Sequence, residues 1–199
     1  MTIQTLNAIK QAALDYGFEY RVLVELAHIL GWRKSELLGL YVVNVQLADN
    51  CIRLEESKNK EKREVPMSQS LRTLLEPMVL GRKPEEKLFS FVTIQKAWEK
   101  ITANAGCPDV LFHDLRRTAA RSKRQAGVDT SVIMKMQGWK PDSMFRRYGI
   151  VAADDKADAM AKQEAYEKQL QLDAAALAEK QQRAQVADPL QLRYSGKEN

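Results

Sequence analysis

The stretch FHDLRRTAARSKRQAGVDTSVIMKMQGWKPDSMFRRYGIV, residues 112–151, decides the fold and holds most of the chemistry-bearing side chains. Its pattern predicts a helix from about Asp114 to Ala126, Gly127 as C-cap, and a second helix over 130–137 that Gly138 and Pro141 break. SMFRRYG then predicts a short helix ending at Gly149. Charge is concentrated here. Residues 113–148 hold nine Lys/Arg and three Asp/Glu, a net of +6, whereas the whole 199-residue chain carries +5. Residues 1–150 carry +7 and residues 151–199 carry −2. A concentrated basic surface favours a polyanion, nucleic acid first among them. A solvated helix face is the simpler alternative.

Upstream, QTLNAIKQAALDY (4–16) predicts a helix ended by Gly17, and FEYRVLVELAHIL (18–30) a more buried one followed by Gly31. Its apolar positions Val22, Leu23, Leu26, Ala27, Ile29 and Leu30 cover a broad face. A short helix is expected over 33–40. The period then changes. Tyr41, Val43, Val45 and Leu47 alternate with Val42, Asn44 and Gln46, which is strand spacing. Ala48-Asp49-Asn50 suggests a turn, 51–57 and 62–67 two more strands, and Lys58-Asn59-Lys60-Glu61 a charged hairpin tip. Helices return over 68–79, with Ser68 or Ser70 as N-cap, and over 93–104, capped by Thr93 and closed near Gly106. After residue 155 the chain is rich in Ala, Gln, Glu and Lys, with a weak apolar stripe at Tyr166, Leu170, Leu177 and Ala184. One long, mostly exposed helix and a tail frayed after Pro189 are expected. The fold class is therefore mainly α with a small three-stranded antiparallel sheet.

Composition excludes several classes. With 45% hydrophobic and 29% charged residues the chain is far from a disordered composition. No run approaches the roughly 18 apolar residues of a membrane span. MTIQTLNAIKQAALDYGFEY has no apolar segment behind a basic start, so no secretory signal is legible. Cys51 and Cys107 make neither a metal cluster nor a disulfide framework, and a reduced, cytoplasmic setting is expected.

Five features lie in order along the chain: Arg33 just before Glu36, Lys58 at the hairpin tip, His113 and Arg116 as H-x-x-R, Trp139 after Gly138, and Tyr148 in FRRYG. Singly, each is more simply a surface cation, a turn lysine or a packing aromatic. Together they describe a phosphoryl-transfer site. Two guanidiniums offer forked donors to the non-bridging oxygens of a phosphodiester under attack and stay charged at any working pH. His113 and Arg116, three apart, share a helix face near an N-terminus whose dipole suits an anion. Trp139 offers an indole N–H, Tyr148 a phenol nucleophile, and Lys58 a proton for the leaving oxygen. No carboxylate cluster suggests a magnesium site, so neither metal nor cofactor is expected.

Over residues 1–155 the chain resembles the catalytic domain of the tyrosine recombinases, or phage integrases. GWRKSELLGL is similar to the family's first-arginine motif, SKNKEKREVPM to its lysine hairpin, FHDLRRTAA to its H-x-x-R motif, QGW to its Gly-His or Gly-Trp position and RRYGIV to its nucleophile motif. Arg116 to Trp139 spans 23 residues and Trp139 to Tyr148 nine, both common in the family. The resemblance implies Arg33, Lys58, His113, Arg116 and Trp139 as catalytic groups, Tyr148 as nucleophile and Glu36 as the acidic supporter of Arg33. It implies cleavage and rejoining of double-stranded DNA through a 3′-phosphotyrosyl link without metal or ATP, by a homotetramer on DNA. It also implies a bacterial or phage-encoded, nucleoid-associated protein. Arg117, Arg121, Lys123, Arg124, Arg146 and Arg147 are expected either on backbone phosphates or in solvent.

Most of that family carries a helical DNA-binding domain ahead of the catalytic one. Residue 1 lies about thirty residues before Arg33, so that domain is expected to be absent, and 156–199 to form a helical extension and tail. The competing expectation is a non-catalytic DNA-binding regulator, since 114–139 alone resembles a helix-turn-helix, or an inactive recombinase remnant.

Overall fold

Two helices joined by one glycine begin the chain, and the second becomes the centre of the core. The computed structural model describes residues 1–54, 62–139 and 155–186. Helix α1 (Ile3–Tyr16) is capped by Thr2, whose Oγ1 accepts the Thr5 amide at 3.1 Å. Helix α2 (Phe18–Leu30) buries Val22, Leu23, Val24, Leu26, Ala27 and Leu30. Burial on more than one face lets it pack against α1 on one side and later helices on others. Its buried Glu25 is neutralised by Lys10 at 2.7 Å and Arg21 at 2.6 Å. Gly31, at φ 65°, ends α2 in the left-handed conformation that a side chain resists.

Helix α3 (Lys34–Leu38) follows, then a 3-10 turn (Val42–Asn44) and strand β1 (Val45–Gln46). The strand expected across 41–47 is thus mostly replaced. Asn44 Oδ1 takes the Tyr41 amide at 2.7 Å, and the amides of Val42 and Val43 donate to Glu86 and Pro84 rather than to a strand. A side-chain acceptor competing for the backbone overrides the alternating pattern. Strands β2 (Cys51–Leu54) and β3 (Arg63–Pro66) complete an antiparallel sheet of order β1-β2-β3. Val65 faces Ile52 and Arg63 faces Leu54 across the β2–β3 pair. Arg63 and Val65 are buried and Glu64 and Pro66 exposed, so an arginine occupies a core-facing position.

Helix α4 (Gln69–Val79) is capped by Ser68, which accepts the Leu71 amide. Helix α5 (Gln95–Asn104) begins after Ile94, without the side-chain cap expected of Thr93. Helix α6 (Phe112–Gln125) starts two residues earlier than the sequence suggests, because Asp114 folds back to accept the Leu111 amide at 3.0 Å. Helix α7 (Thr130–Gln137) has the expected bounds, with Asp129 as cap. Leu115 of α6 enters the main core, which α2 shares, while Ala120, Ile133 and Trp139 form a smaller cluster.

The chain divides into two compact units, Met1–Ile150 and Val151–Asn199. In the second, helix α8 (Asp155–Val186) runs 32 residues, roughly 48 Å at 1.5 Å per residue. Its side chains are exposed from 159 to 183, as its helix-forming but poorly amphipathic composition suggests. Among the described residues no helix is long and apolar enough to cross a membrane.

One histidine makes the fold acid-sensitive. His28 on α2 has a buried Nδ1 with no hydrogen-bond partner among the described residues. Burial, helped by the nearby Lys10 and Lys123 charges against that of Glu25, lowers its pKa to about 4. The unfolded chain takes up a proton near pH 6.5 that the fold refuses, so stability is full above that pH and is lost as pH falls towards 4. Between pH 8 and pH 5 the full shift corresponds to about 2 kcal/mol, an upper bound that solvent at the half-buried ring reduces. Urea unfolding of His28→Gln is expected to show an acid loss smaller by up to that amount. An equal loss in both proteins would refute the assignment.

Candidate active site

The sharp turn at Gly31 delivers two residues to the site. Trp32 is buried, and its Nε1 donates to the Met136 carbonyl at 2.8 Å, tying the end of α2 to the end of α7. Arg33 then opens α3 with its side chain 38% exposed. Glu36, one turn on, is held on three sides. Its Oε2 accepts the Arg33 amide at 2.8 Å, and its Oε1 accepts Arg33 Nη1 at 2.9 Å and Arg63 Nη2 at 2.5 Å. Burial alone would raise the Glu36 pKa. The Arg33 amide, the Arg63 hydrogen bond and charge, and the Arg33 guanidinium outweigh it and hold the pKa below the usual carboxylate value.

Arg116 is 5% exposed and points inward from α6. Its Nη1 donates to the Gln137 carbonyl at 2.9 Å and to the Gly31 carbonyl. Its guanidinium lies 5.3 Å from the centroid of the Trp139 ring, within cation–π range. A cation donating at the last turn of α7 also suits the negative end of that helix. His113 lies one turn earlier at the exposed N-terminal end of α6. Partial burial of its ring lowers its pKa, as do the charges of Arg116, Arg117 and Arg33, with Asp114 opposing. Its ring is therefore neutral at pH 7 and able to accept a proton. His113 and Arg116 line one cleft of about 470 Å³ whose other walls include Trp32, Trp98 and Phe112.

The structure thus gathers Arg33, Glu36, His113, Arg116 and Trp139 from three separate parts of the chain. Lys58, Tyr148, Arg146 and Arg147 lie outside the described residues. Of the other cations, Arg117 and Arg121 are exposed, Arg117 pairing with Asp114 at 3.3 Å, and Arg124 is half-buried. Lys123 departs from the expectation of a phosphate contact or a solvated charge. It turns inward, and its Nζ donates to the Ile29 carbonyl at 2.6 Å. Burial there lowers its pKa to about 8. The last turn of α2 offers unpaired carbonyls, and a long flexible cation on the adjacent helix satisfies one.

Two residues join the site without having been singled out in the sequence. Arg63 links Glu36 to the Gln137 carbonyl, at 2.5 and 3.1 Å, and lies 5.3 Å from the Trp32 ring. The available signal was its in-register place in the alternation Arg63-Glu64-Val65-Pro66. Gln137, fully buried, supplies the carbonyl that Arg63 and Arg116 share, and the sequence offers for it only its place at the head of the QGW motif.

Removing the carboxylate between Arg33 and Arg63 leaves the buried Arg63 charge uncompensated. Glu36→Ala is expected to cost about 3–5 kcal/mol in urea unfolding. A loss under about 1 kcal/mol would show that the pair is not a coupled buried unit.

A helical domain with a three-stranded antiparallel sheet and two arginines converging beside a histidine is the fold of the tyrosine recombinase catalytic domain. The catalytic domain of bacteriophage HP1 integrase superposes with a TM-score of 0.65 at 21% identity, over 81% of this chain and 92% of that one. The XerH recombinase, in a pre-cleavage complex with its difH substrate, superposes with a TM-score of 0.63 at 18% identity, over 80% and 53%. In sequence, the tyrosine recombinase XerA of Saccharolobus solfataricus is 28% identical over 154 residues, 76% of this chain and 50% of that protein. The Phage integrase family model matches residues 1–154, and the chain belongs to that family. It spans about half the length of the curated full-span relatives it matches.

Proposed function

We propose that the protein cleaves and rejoins double-stranded DNA by phosphoryl transfer to Tyr148. The observation carrying this reading is that Arg33 and Arg116, far apart in sequence, are tied into one hydrogen-bonded network beside a neutral His113. Two guanidiniums placed together suit the charge that builds on a phosphodiester under attack. Tyr148 Oη forms a bond to phosphorus while the bond to the 5′-oxygen breaks. His113 takes the phenol proton and Lys58 gives one to the leaving oxygen. Trp139, whose Nε1 is buried in the described structure, would add an N–H donor only once the bound phosphate reaches it. The 3′-phosphotyrosyl ester keeps the bond energy, so a 5′-hydroxyl from another strand restores the phosphodiester without ATP. In this reading residues 1–155 are the catalytic domain. Residues 156–199 extend to a neighbouring subunit of a homotetramer on DNA, and exposed Arg117 and Arg121 meet backbone phosphates. Membership in the phage integrase family and the DNA-bound state of XerH support it.

The test is a nicked suicide duplex, run with and without EDTA and resolved on a denaturing gel. A covalent protein–DNA adduct that survives chelation is the expected result. Tight duplex binding with no adduct on any substrate would replace this reading with that of a regulator.

A further inference from the structure

Arg33 and Arg116 are the two arginines assigned to the phosphate. Each shares one acceptor atom with a third arginine. Glu36 Oε1 accepts from Arg33 Nη1 at 2.9 Å and Arg63 Nη2 at 2.5 Å. The Gln137 carbonyl accepts from Arg63 Nη1 at 3.1 Å and Arg116 Nη1 at 2.9 Å. We propose that Arg63 is a positioning residue that sets Arg33 and Arg116 at one mutual spacing, so that both meet the same phosphate. This rests on the recombinase reading given above.

Three features support a positioning role over simple packing. First, both terminal nitrogens of Arg63 are taken up by protein acceptors, Nη2 by Glu36 Oε1 and Nη1 by the Gln137 carbonyl. Second, its burial is a poor bargain for stability alone. Its Nε has no hydrogen-bond partner among the described residues, and apolar replacements of buried ion pairs are often neutral or stabilising. Third, the backbone is shaped around it. Gly138 ends α7 at φ 66°, and a Cβ there would lie 2.6 Å from Arg63 Cζ and 2.7 Å from its Nη1. The rigid planar fork reaches an acceptor on each side at once, which a single ammonium does not. Trp32 closes one side, its ring 5.3 Å from the guanidinium and its N–H on the neighbouring Met136 carbonyl.

The discriminating variants are Arg63→Lys, which keeps the charge beside Glu36 but not the fork, and Arg63→Met. Three quantities are measured on the full chain: the first-order rate of adduct formation at saturating suicide duplex, the Kd for an uncleavable duplex, and the side-chain Nε–Hε NMR signals of Arg33 and Arg116. Arg53→Gln, on the exposed Asp49/Glu64 pairing of the same sheet, serves as control and is expected to match the wild type. For Arg63→Lys we expect a cooperatively folded protein, a rate at least 30-fold lower, a Kd within threefold, and displaced, more mobile Arg33 and Arg116 signals. A rate within threefold in both Arg63 variants overturns the proposal. So does full rescue by lysine, or a slowed reaction with unchanged Arg33 and Arg116 signals. Loss of cooperative folding in both variants would mark Arg63 as structural and overturns it equally. If the wild type itself forms no adduct, the recombinase reading fails, and unchanged NMR signals in Arg63→Lys would then dispose of the positioning role separately.

Discussion

Tyr148→Phe is expected to abolish the covalent protein–DNA adduct while leaving duplex affinity within about twofold. The substitution removes one oxygen, the atom to which phosphorus would be joined. Loss of a covalent nucleophile in a preorganised site costs roughly 10⁴-fold or more in rate. In the proposed mechanism the phenol also gives the histidine its task. With a pKa of about 10, a free tyrosine is about 0.1% ionised at pH 7. Partial burial and the Arg116, Arg117 and Arg33 charges lower the His113 pKa, which suits the proton-accepting role proposed for it. The acid fall of the wild-type rate is therefore expected at a lower pH than an ordinary histidine would give. Gel quantification of adduct against time, from pH 5 to 8, measures both effects. Residual adduct in Tyr148→Phe would place the nucleophile elsewhere.

Arg116→Ala is expected to act twice. As the proposed clamp on the phosphate, its guanidinium would stabilise charge that exists only at the transition state, and its loss is expected to cost about 10²–10⁴-fold in cleavage. As a buried cation, it donates to carbonyls at the ends of α2 and α7, the Gly31 and Gln137 oxygens. Both acceptors lose a charged donor, which costs about 2–4 kcal/mol in urea unfolding. Single-turnover cleavage at saturating duplex, measured at low temperature where the variant stays folded, separates the two. A cleavage rate within tenfold of wild type would remove Arg116 from the transition-state clamp. Arg116→Lys is expected to recover some stability and little rate, because an ammonium replaces the charge but not the fork.

The helical half of the molecule was legible from residue spacing. α1, α2, α7 and α8 lie within about a residue of their expected bounds, because glycines, caps and helix-forming runs act over a few neighbouring residues. His113 and Arg116 share the start of one helix as their spacing implies, since three residues on a helix face is a local fact. The alternation of Tyr41, Val43 and Val45 misled, because Asn44 and the carbonyls of residues 84 and 86, forty positions away, claimed the backbone amides.

The sequence by itself therefore determined which chemical groups are present, most of the elements that carry them, and the order of the motifs. Tertiary structure alone decided their partnerships. That Lys123 serves the end of α2 rather than solvent, that Arg63 lies between Glu36 and Gln137, and that Arg116 reaches Gly31 all depend on contacts between residues 94, 74 and 85 positions apart. A buried cation takes whichever acceptor the packed helices leave unsatisfied, and that is settled only when the core has closed around it.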